Sequence, residues 1–103
     1  MEKVANKNCR RLVEKRLEFD GSNLYARNIG RLYVVYSYGP HYPMYIYRKG
    51  WWYENSDGYS PSTGKHHSNA RPYYSNNITK ADTKTLKQII TREEYVLSWE
   101  KIY

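Results

Sequence analysis

The sequence predicts an α+β domain in which an antiparallel meander of three to four strands is covered on one face by helical segments. The middle of the chain is rich in aromatic and β-branched residues in short runs separated by turn residues, as is typical of strands. Apolar residues at both ends of the chain recur at helical spacing. A chain of 103 residues is large enough for one modest core, so we expect a single domain.

Residues 1–19 are interpreted as a basic helix, centred on residues 7–18. An apolar stripe runs along it, and Lys and Arg fill most of the remaining circumference. The stripe consists of Val4, Cys9, Leu12, Val13 and Leu17. Cys9 is the one cysteine of the chain, which excludes an internal disulfide, and in this stripe it is expected to be buried and unreactive.

Residues 24–74 are predicted to be a tyrosine-rich meander, with strands near residues 24–27, 31–38, 44–48 and 51–54. Turns are expected at Asn28-Ile29-Gly30 and at Lys49-Gly50. One face of the meander should pack on the C-terminal helical segment. We expect that interface to contain Leu32, Val34 and Tyr36, with Ile46 or Met44, and with Leu86, Ile89 and Trp99.

Residues 79–103 are predicted to be helical, with Asp82 or Thr83 as the N-cap. The run Thr91 to Glu94 also matches a capping box. The pattern therefore leaves open whether this segment forms one helix or two.

The composition points to a binding surface. Thirteen tyrosines and three tryptophans accompany a formal net charge of +7, while the chain has only one phenylalanine. Cations bind phosphate and flat rings stack on bases, so a nucleic acid is the expected partner. The predicted phosphate ligands are Arg27, Arg31, Arg48, Lys49, Lys65, His66 and Arg71. The predicted stacking rings are Tyr33, Tyr45, Tyr47 and Trp52, about half of which should be exposed because the chain offers too little helix to cover both sheet faces.

The long polar loop 59–72 is the strongest local candidate for an anion site. It places hydroxyls, imidazoles, Lys65 and Arg71 around Gly64, residue types that commonly contact phosphate. It lacks the glycine spacing of a P-loop. Adjacent His66 and His67 without cysteine do not form a good metal site, so we expect neither metal nor cofactor. An enzyme alternative is metal-independent RNA cleavage, with His66 or His67 as acid or base and Lys65 and Arg71 on the phosphate.

A string of short motifs resembles a family of small uncharacterised proteins of bacteriophages and other mobile elements. The motifs include Gly-Ser-Asn-Leu-Tyr at 21–25, Tyr-Val-Val-Tyr-Ser-Tyr-Gly at 33–39, Trp-Tyr-Glu-Asn-Ser-Asp at 52–57 and Ala-Arg-Pro at 70–72. They also include His41 with residues 42–47, Tyr59-Ser60, Thr63 and Lys65-His66. The resemblance covers roughly residues 21–90. It implies an accessory protein that acts in the cytoplasm of an infected bacterial host, and it supplies no established reaction.

The leading functional prediction is a non-catalytic protein that binds RNA, single-stranded DNA or a nucleoprotein. The alternative is an inhibitor of host defence, similar to an anti-CRISPR protein, that works mainly through protein–protein contacts. The ribonuclease comes third. No apolar run approaches the 18 residues that a membrane span needs. The sequence leaves open the host target, the choice between RNA and DNA, and the oligomeric state.

Overall fold

The computed structural model describes residues 2–58, 66–67, 70–72 and 78–102. They form a seven-stranded sheet in the order β1-β2-β3-β4-β5-β6-β7. The strands are β1 Glu2–Lys3, β2 Phe19–Asp20, β3 Leu24–Ile29, β4 Leu32–Ser37, β5 Pro43–Arg48, β6 Trp51–Asn55 and β7 Ile78–Ala81. The helices are a 3₁₀ turn at Asn6–Asn8, α1 at Arg10–Glu14 and α2 at Thr83–Ile102.

The α+β class is confirmed, but the sheet is larger than the predicted meander and is not wholly antiparallel. Strands β3 to β6 pair antiparallel, as expected for consecutive strands joined by short turns. The outer pairs, β1 with β2 and β6 with β7, are parallel. Strand β7 occupies residues that were predicted to begin the helical segment. The four residues of β7 are too few to show whether apolar residues recur at helical or strand spacing. The strand forms because the edge of β6 offers unpaired backbone groups.

The prediction of one basic helix over residues 7–18 is wrong. Helix α1 has only five residues, Arg10–Glu14, and Arg16 takes a left-handed backbone with φ 55°. Phe19 then pairs with Ala26 of β3. The segment therefore extends the sheet after its helical turn. Strand pairing with β3 buries Phe19, which a continued helix would have left without that partner.

Two tight turns lie at the same end of the sheet. The β3–β4 turn is the two-residue Gly30-Arg31 and not the predicted three-residue turn at Asn28-Ile29-Gly30, and Gly30 has φ 57°. The β5–β6 turn is Lys49-Gly50, with φ 50° and 81°. Positive φ at both Lys49 and Gly50, and at the first residue of the β3–β4 turn, Gly30, is typical of the primed turns that fit the twist of a hairpin. Since Tyr33 pairs with Tyr47, both turns point toward the same edge of the molecule.

Helix α2 covers one face of the sheet. Leu32, Val34, Tyr36, Ile46 and Leu86 are buried together there, as predicted, and Ile89 is partly buried against them. One expectation for this face is wrong, and of the two alternatives Ile46 and Met44 only Ile46 lies here. Trp99 is 45% exposed. Met44 packs on the opposite side, since the register shift between Val35 and Tyr36 breaks the alternation of β5.

The other face of the sheet is also covered, which contradicts the expected exposed row of rings. Tyr33, Tyr45 and Trp52 are at most 3% exposed. They pack with Cys9 and Ala70 in a second core. The N-terminal segment and the helical turn near residue 70, in which His67 and Ala70 are helical, supply the missing layer. Tyr47 is half-buried, with the guanidinium of Arg16 4.5 Å from its ring centre.

Helix α2 is one continuous helix, which answers the question that the sequence left open. Its start is held by two carboxylates: Asp57 accepts from the backbone N–H of Thr83, and Asp82 accepts from that of Thr85. The capping-box match near Thr91 therefore lies inside a helix. Among the described residues, no helix is apolar over a length that could cross a membrane.

Candidate functional site

The sequence-predicted site residues do not come together as one surface. Three of the four predicted stacking rings, Tyr33, Tyr45 and Trp52, belong to the core and cannot meet a base. Their polar atoms are used internally: the Tyr33 hydroxyl donates to the Leu17 carbonyl at 2.8 Å. Tyrosine serves this face because the ring fills the core while its hydroxyl reaches a backbone or side-chain acceptor.

Arg27 is part of the fold. Its guanidinium donates to the carboxylate of Asp20 at 2.7 Å and to the carbonyl oxygens of Phe19 and Ala26. It also lies 5.1 Å from the ring centre of Tyr25. These contacts hold β2 against β3. Few donors remain for phosphate, so Arg27 is a structural residue in this conformation.

Arg71 belongs to a polar network centred on the buried carboxylate of Glu54, although its own side chain is about half exposed. One carboxylate oxygen accepts from Arg71 at 2.7 Å. The other accepts from the Tyr45 hydroxyl at 2.7 Å and lies 3.1 Å from Nδ1 of His67. The network ties the helical turn near residue 70 to strand β6. Replacing Arg71 would therefore disturb the fold, contrary to the expectation that it is an independent loop cation.

The charge of Glu54 is strongly favoured in the folded protein. Burial alone would raise the pKa of this carboxyl, since only 5% of the residue is exposed. Hydrogen bonds from His67, Tyr45 and Arg71, together with the Arg71 charge, outweigh burial and lower the pKa to about 2. The carboxylate is therefore an anchor for its neighbours, held ionised at all physiological pH values.

The two histidines of the loop are also engaged in internal contacts. Nδ1 of His66 lies 2.6 Å from the Ser37 hydroxyl, and both residues are buried. Burial, and then the nearby charge of His67, lower the pKa of His66. Nε2 of His67 lies 3.0 Å from the Tyr42 hydroxyl. These contacts favour structural roles for both imidazoles, and the ribonuclease remains a prediction. Lys65 lies outside the described residues.

Arg31, Arg48 and Lys49 remain at the surface, where α2 adds a third arginine. Arg31, Arg48 and Arg92 line a small cavity of about 220 Å³ at the turn end of the sheet. We call these three residues the arginine cluster. All three are exposed. Lys49 is exposed in the adjacent turn and extends the positive surface.

The buried Glu93 lines the same cavity as the arginine cluster and positions Arg31. Its carboxylate accepts from the Arg31 backbone N–H at 2.9 Å and lies 3.4 Å from the Arg31 Nε. The backbone hydrogen bond is the main cause that lowers the pKa of Glu93, and the charges of Arg31 and Arg48 contribute. Three guanidinium groups around one carboxylate leave two positive charges without a compensating partner among the lining residues. The cluster is therefore a local excess of positive charge on a fixed frame.

A larger open groove runs along α2 beside the cluster. Its volume is about 830 Å³, and Arg92 belongs to both cavities. The groove is lined by Asp57, Thr83, Lys84, Lys87, Gln88, Thr91 and Arg92. Three cations face one carboxylate here as well, and that carboxylate already accepts the Thr83 N–H. The two cavities form one continuous basic surface through Arg92.

Sequence reasoning missed the contribution of α2 to this surface. Residues 82–103 contain equal numbers of acidic and basic residues, so the segment was not expected to be part of the basic face. Glu93 turns inward, whereas Lys84, Lys87 and Arg92 are exposed and line the groove; Glu94 is exposed but lies outside both cavities. A helical projection of one continuous helix would have given this signal.

The described residues contain no group of three or more His, Cys, Asp or Glu that could hold a metal ion. No protein-family model matches the chain, and comparisons with curated proteins and with solved structures likewise give no match. The candidate site therefore rests on the geometry of the basic surface alone.

Proposed function

We propose that this protein is a non-catalytic nucleic-acid binder that holds phosphate groups at the arginine cluster and along the basic groove of α2. The partner is RNA or single-stranded DNA, free or within a nucleoprotein of a bacterial host infected by a mobile element. One observation carries the proposal: three exposed arginines surround a single inward-facing carboxylate at the turn end of the sheet.

Arginine suits this role because its planar guanidinium binds two phosphate oxygens at once and keeps its charge at any physiological pH. The cluster is also pre-organised. Arg31 is placed by the hydrogen bond from its own backbone to Glu93, and Arg48 by the tight hairpin turn that follows it. Phosphate binding would then require little reordering of the backbone, which lowers the cost of association.

The test is the salt dependence of binding. Arg48→Ala with Arg92→Ala removes two surface cations and leaves Arg31 to hold the turn. The affinity for a labelled RNA oligonucleotide should fall, and the slope of log affinity against log salt should decrease by about 1 to 2 units. Lys3→Ala with Lys15→Ala is the matched control, because it removes the same charge from exposed positions outside both cavities. Equal slopes for both double variants would refute the proposal.

The competing proposal is an inhibitor of host defence that acts by protein contacts. It is favoured by exposed aromatic side chains on α2, which are frequent in protein interfaces. Capture of partners from a host lysate separates the two. Partners lost after nuclease treatment support nucleic-acid binding, and partners that survive both nuclease and high salt support the inhibitor. Cleavage of labelled RNA in EDTA that disappears in His66→Ala would instead support the ribonuclease.

A further inference from the structure

We infer that Tyr95 and Trp99 form a base-stacking platform, so that the basic surface prefers single-stranded over double-stranded nucleic acid. The inference rests on the proposed function, and it assigns base stacking to two rings that the sequence did not predict for that role. Tyr95 is 62% exposed and Trp99 is 45% exposed. Trp99 was expected to pack against the sheet, and instead both rings lie on the outer side of α2.

The periodicity of α2 explains why these two rings face outward. At about 100° per residue, Tyr95 lies about 180° around the helix from the buried Leu86. Trp99 is one turn further on the same side, since residues four apart are neighbours on a helix. The two ring centres are 6.0 Å apart at an interplanar angle of 65°. Each ring supports the other while large parts of both remain open to a ligand.

The outer side of α2 carries the cations that a nucleic-acid strand needs. By helical position, Lys84, Gln88 and Arg92 lie within about 40° of the direction midway between the two rings. Arg92 precedes Tyr95 by about 5 Å along the helix axis, and it belongs to the arginine cluster. A strand whose phosphates contact Arg92 would therefore bring its next bases over Tyr95 and Trp99.

Exposed aromatic rings fit either kind of partner, but the side chains around Tyr95 and Trp99 favour a nucleic acid over a protein. A helix that docks into a protein groove presents a continuous apolar face, with anchors at spacings of three, four and seven residues. On this side of α2, the described positions between Lys84 and Trp99 offer cations, an amide and hydroxyls beside the two rings. Aromatic rings between cations are the recurrent arrangement in proteins that bind single strands. In a duplex the bases are already stacked on one another, so they cannot lie on the rings.

The experiment compares two probes with one set of variants. The probes are a labelled oligouridylate of about 16 nucleotides, a length that one small binding domain covers, and a blunt RNA duplex of the same length. The variants are Tyr95→Ala with Trp99→Ala, and Trp99→Phe, which retains a ring that can stack. Tyr38→Ala is the matched control: this ring is 53% exposed but lies at the opposite end of β4 from the cluster.

We expect the double alanine variant to lose about 5- to 150-fold in affinity for the single strand, since stacking on an aromatic side chain has an effect of that size. Its affinity for the duplex should change by less than about twofold, and its salt slope should stay unchanged, because phosphate contacts are retained. Trp99→Phe alone should retain most of the single-strand affinity of the wild type, because it keeps a ring that can stack. In a Trp51→Phe background, the single strand should quench tryptophan emission, and Trp99→Phe should abolish the quenching.

The outcomes distinguish the inference from the proposed function. If the arginine variants reduce the salt slope while the aromatic variants bind both probes as the wild type does, phosphate binding stands and the stacking platform is refuted. Equal losses for strand and duplex also refute the platform, as does a loss for Trp99→Phe as large as that for the double alanine variant. If the arginine variants leave the salt dependence of binding unchanged for both probes, the phosphate-binding proposal and the stacking platform are both refuted.

Discussion

Glu54→Gln is the substitution for which the structure gives the clearest expected size of effect. It keeps the shape of the side chain and removes the charge on which Arg71, Tyr45 and His67 converge. The carboxylate is only 5% exposed, so water cannot replace the lost interactions. We therefore expect that replacing one carboxylate oxygen with an amide nitrogen changes the stability of the protein strongly.

The magnitude follows from the pKa of Glu54. The ordinary value of 4.5 falls to about 2 in the folded protein. One pKa unit corresponds to about 1.4 kcal/mol, so ionisation of this group stabilises the folded state by about 3 kcal/mol at neutral pH. Because the pKa is lowered on folding, this contribution is fully present above about pH 4.5 and is lost as pH falls toward about 2. At pH 7 the variant should be less stable than the wild type by about that amount.

Urea unfolding measured from pH 7 down to the lowest pH at which both proteins fold provides the assay. The difference in unfolding free energy between wild type and Glu54→Gln isolates this one group, since other carboxylates titrate in both proteins. Glu94→Gln, at an exposed position on α2, is the control and should leave the stability within about 0.5 kcal/mol at all pH values. A pH-independent difference, or equal stability at pH 7, would refute the assigned role of Glu54.

Three further predictions concern the core and the turns. Val34→Ala removes two methyl groups from the fully buried interface between the sheet and α2, and should cost about 1–3 kcal/mol by urea unfolding; an unmoved midpoint would show that this face is not packed. The Cys9 thiol is buried, and burial raises its pKa to about 11, so labelling by a thiol reagent should be slow until the protein unfolds; rapid labelling of the native protein would contradict this. Gly30→Ala forces a side chain into a left-handed turn and against the Glu93 carboxylate, and should cost at least about 1–2 kcal/mol, whereas Gly50→Ala, which meets no atom within 4 Å, carries only the backbone penalty and should cost less.

The central strands and their turns could be predicted because each depends on neighbouring residues. β4 combines β-branched and aromatic residues, and Lys49-Gly50 is a sequence that accepts a primed turn. The face of β4 that meets α2 follows from alternation along a strand, and it was assigned correctly for Val34. Alternation failed at Met44, where the register shift in the pairing with β4 added one residue to β5. A bulge of that kind is set by the partner strand and leaves no pattern in the strand itself.

The sites were harder to predict than the strands, because burial decides which polar residues remain available. Arg48 and Arg71 look equivalent as loop cations and both are exposed, yet Arg71 bonds to the buried carboxylate of Glu54, seventeen positions earlier. Tyr45 and Tyr95 are equally plausible stacking rings by composition. Only the second is exposed. Tyr45 is covered by the N-terminal segment and by residues near Ala70, and the sequence of these segments does not predict that they pack on the sheet.

By itself, the sequence determined the α+β class, the antiparallel centre of the sheet, the positive charge and the burial of Cys9. Each depends on composition or on contacts between residues close along the chain, where backbone preference and hydrophobic period act directly. The tertiary structure alone decided the parallel edge strands, the second core around Tyr33 and the network around Glu54. It also decided which charges of α2 face outward beside Arg48. These features depend on contacts between distant segments, and they form because the sheet must cover both of its faces and satisfy every polar group that it buries.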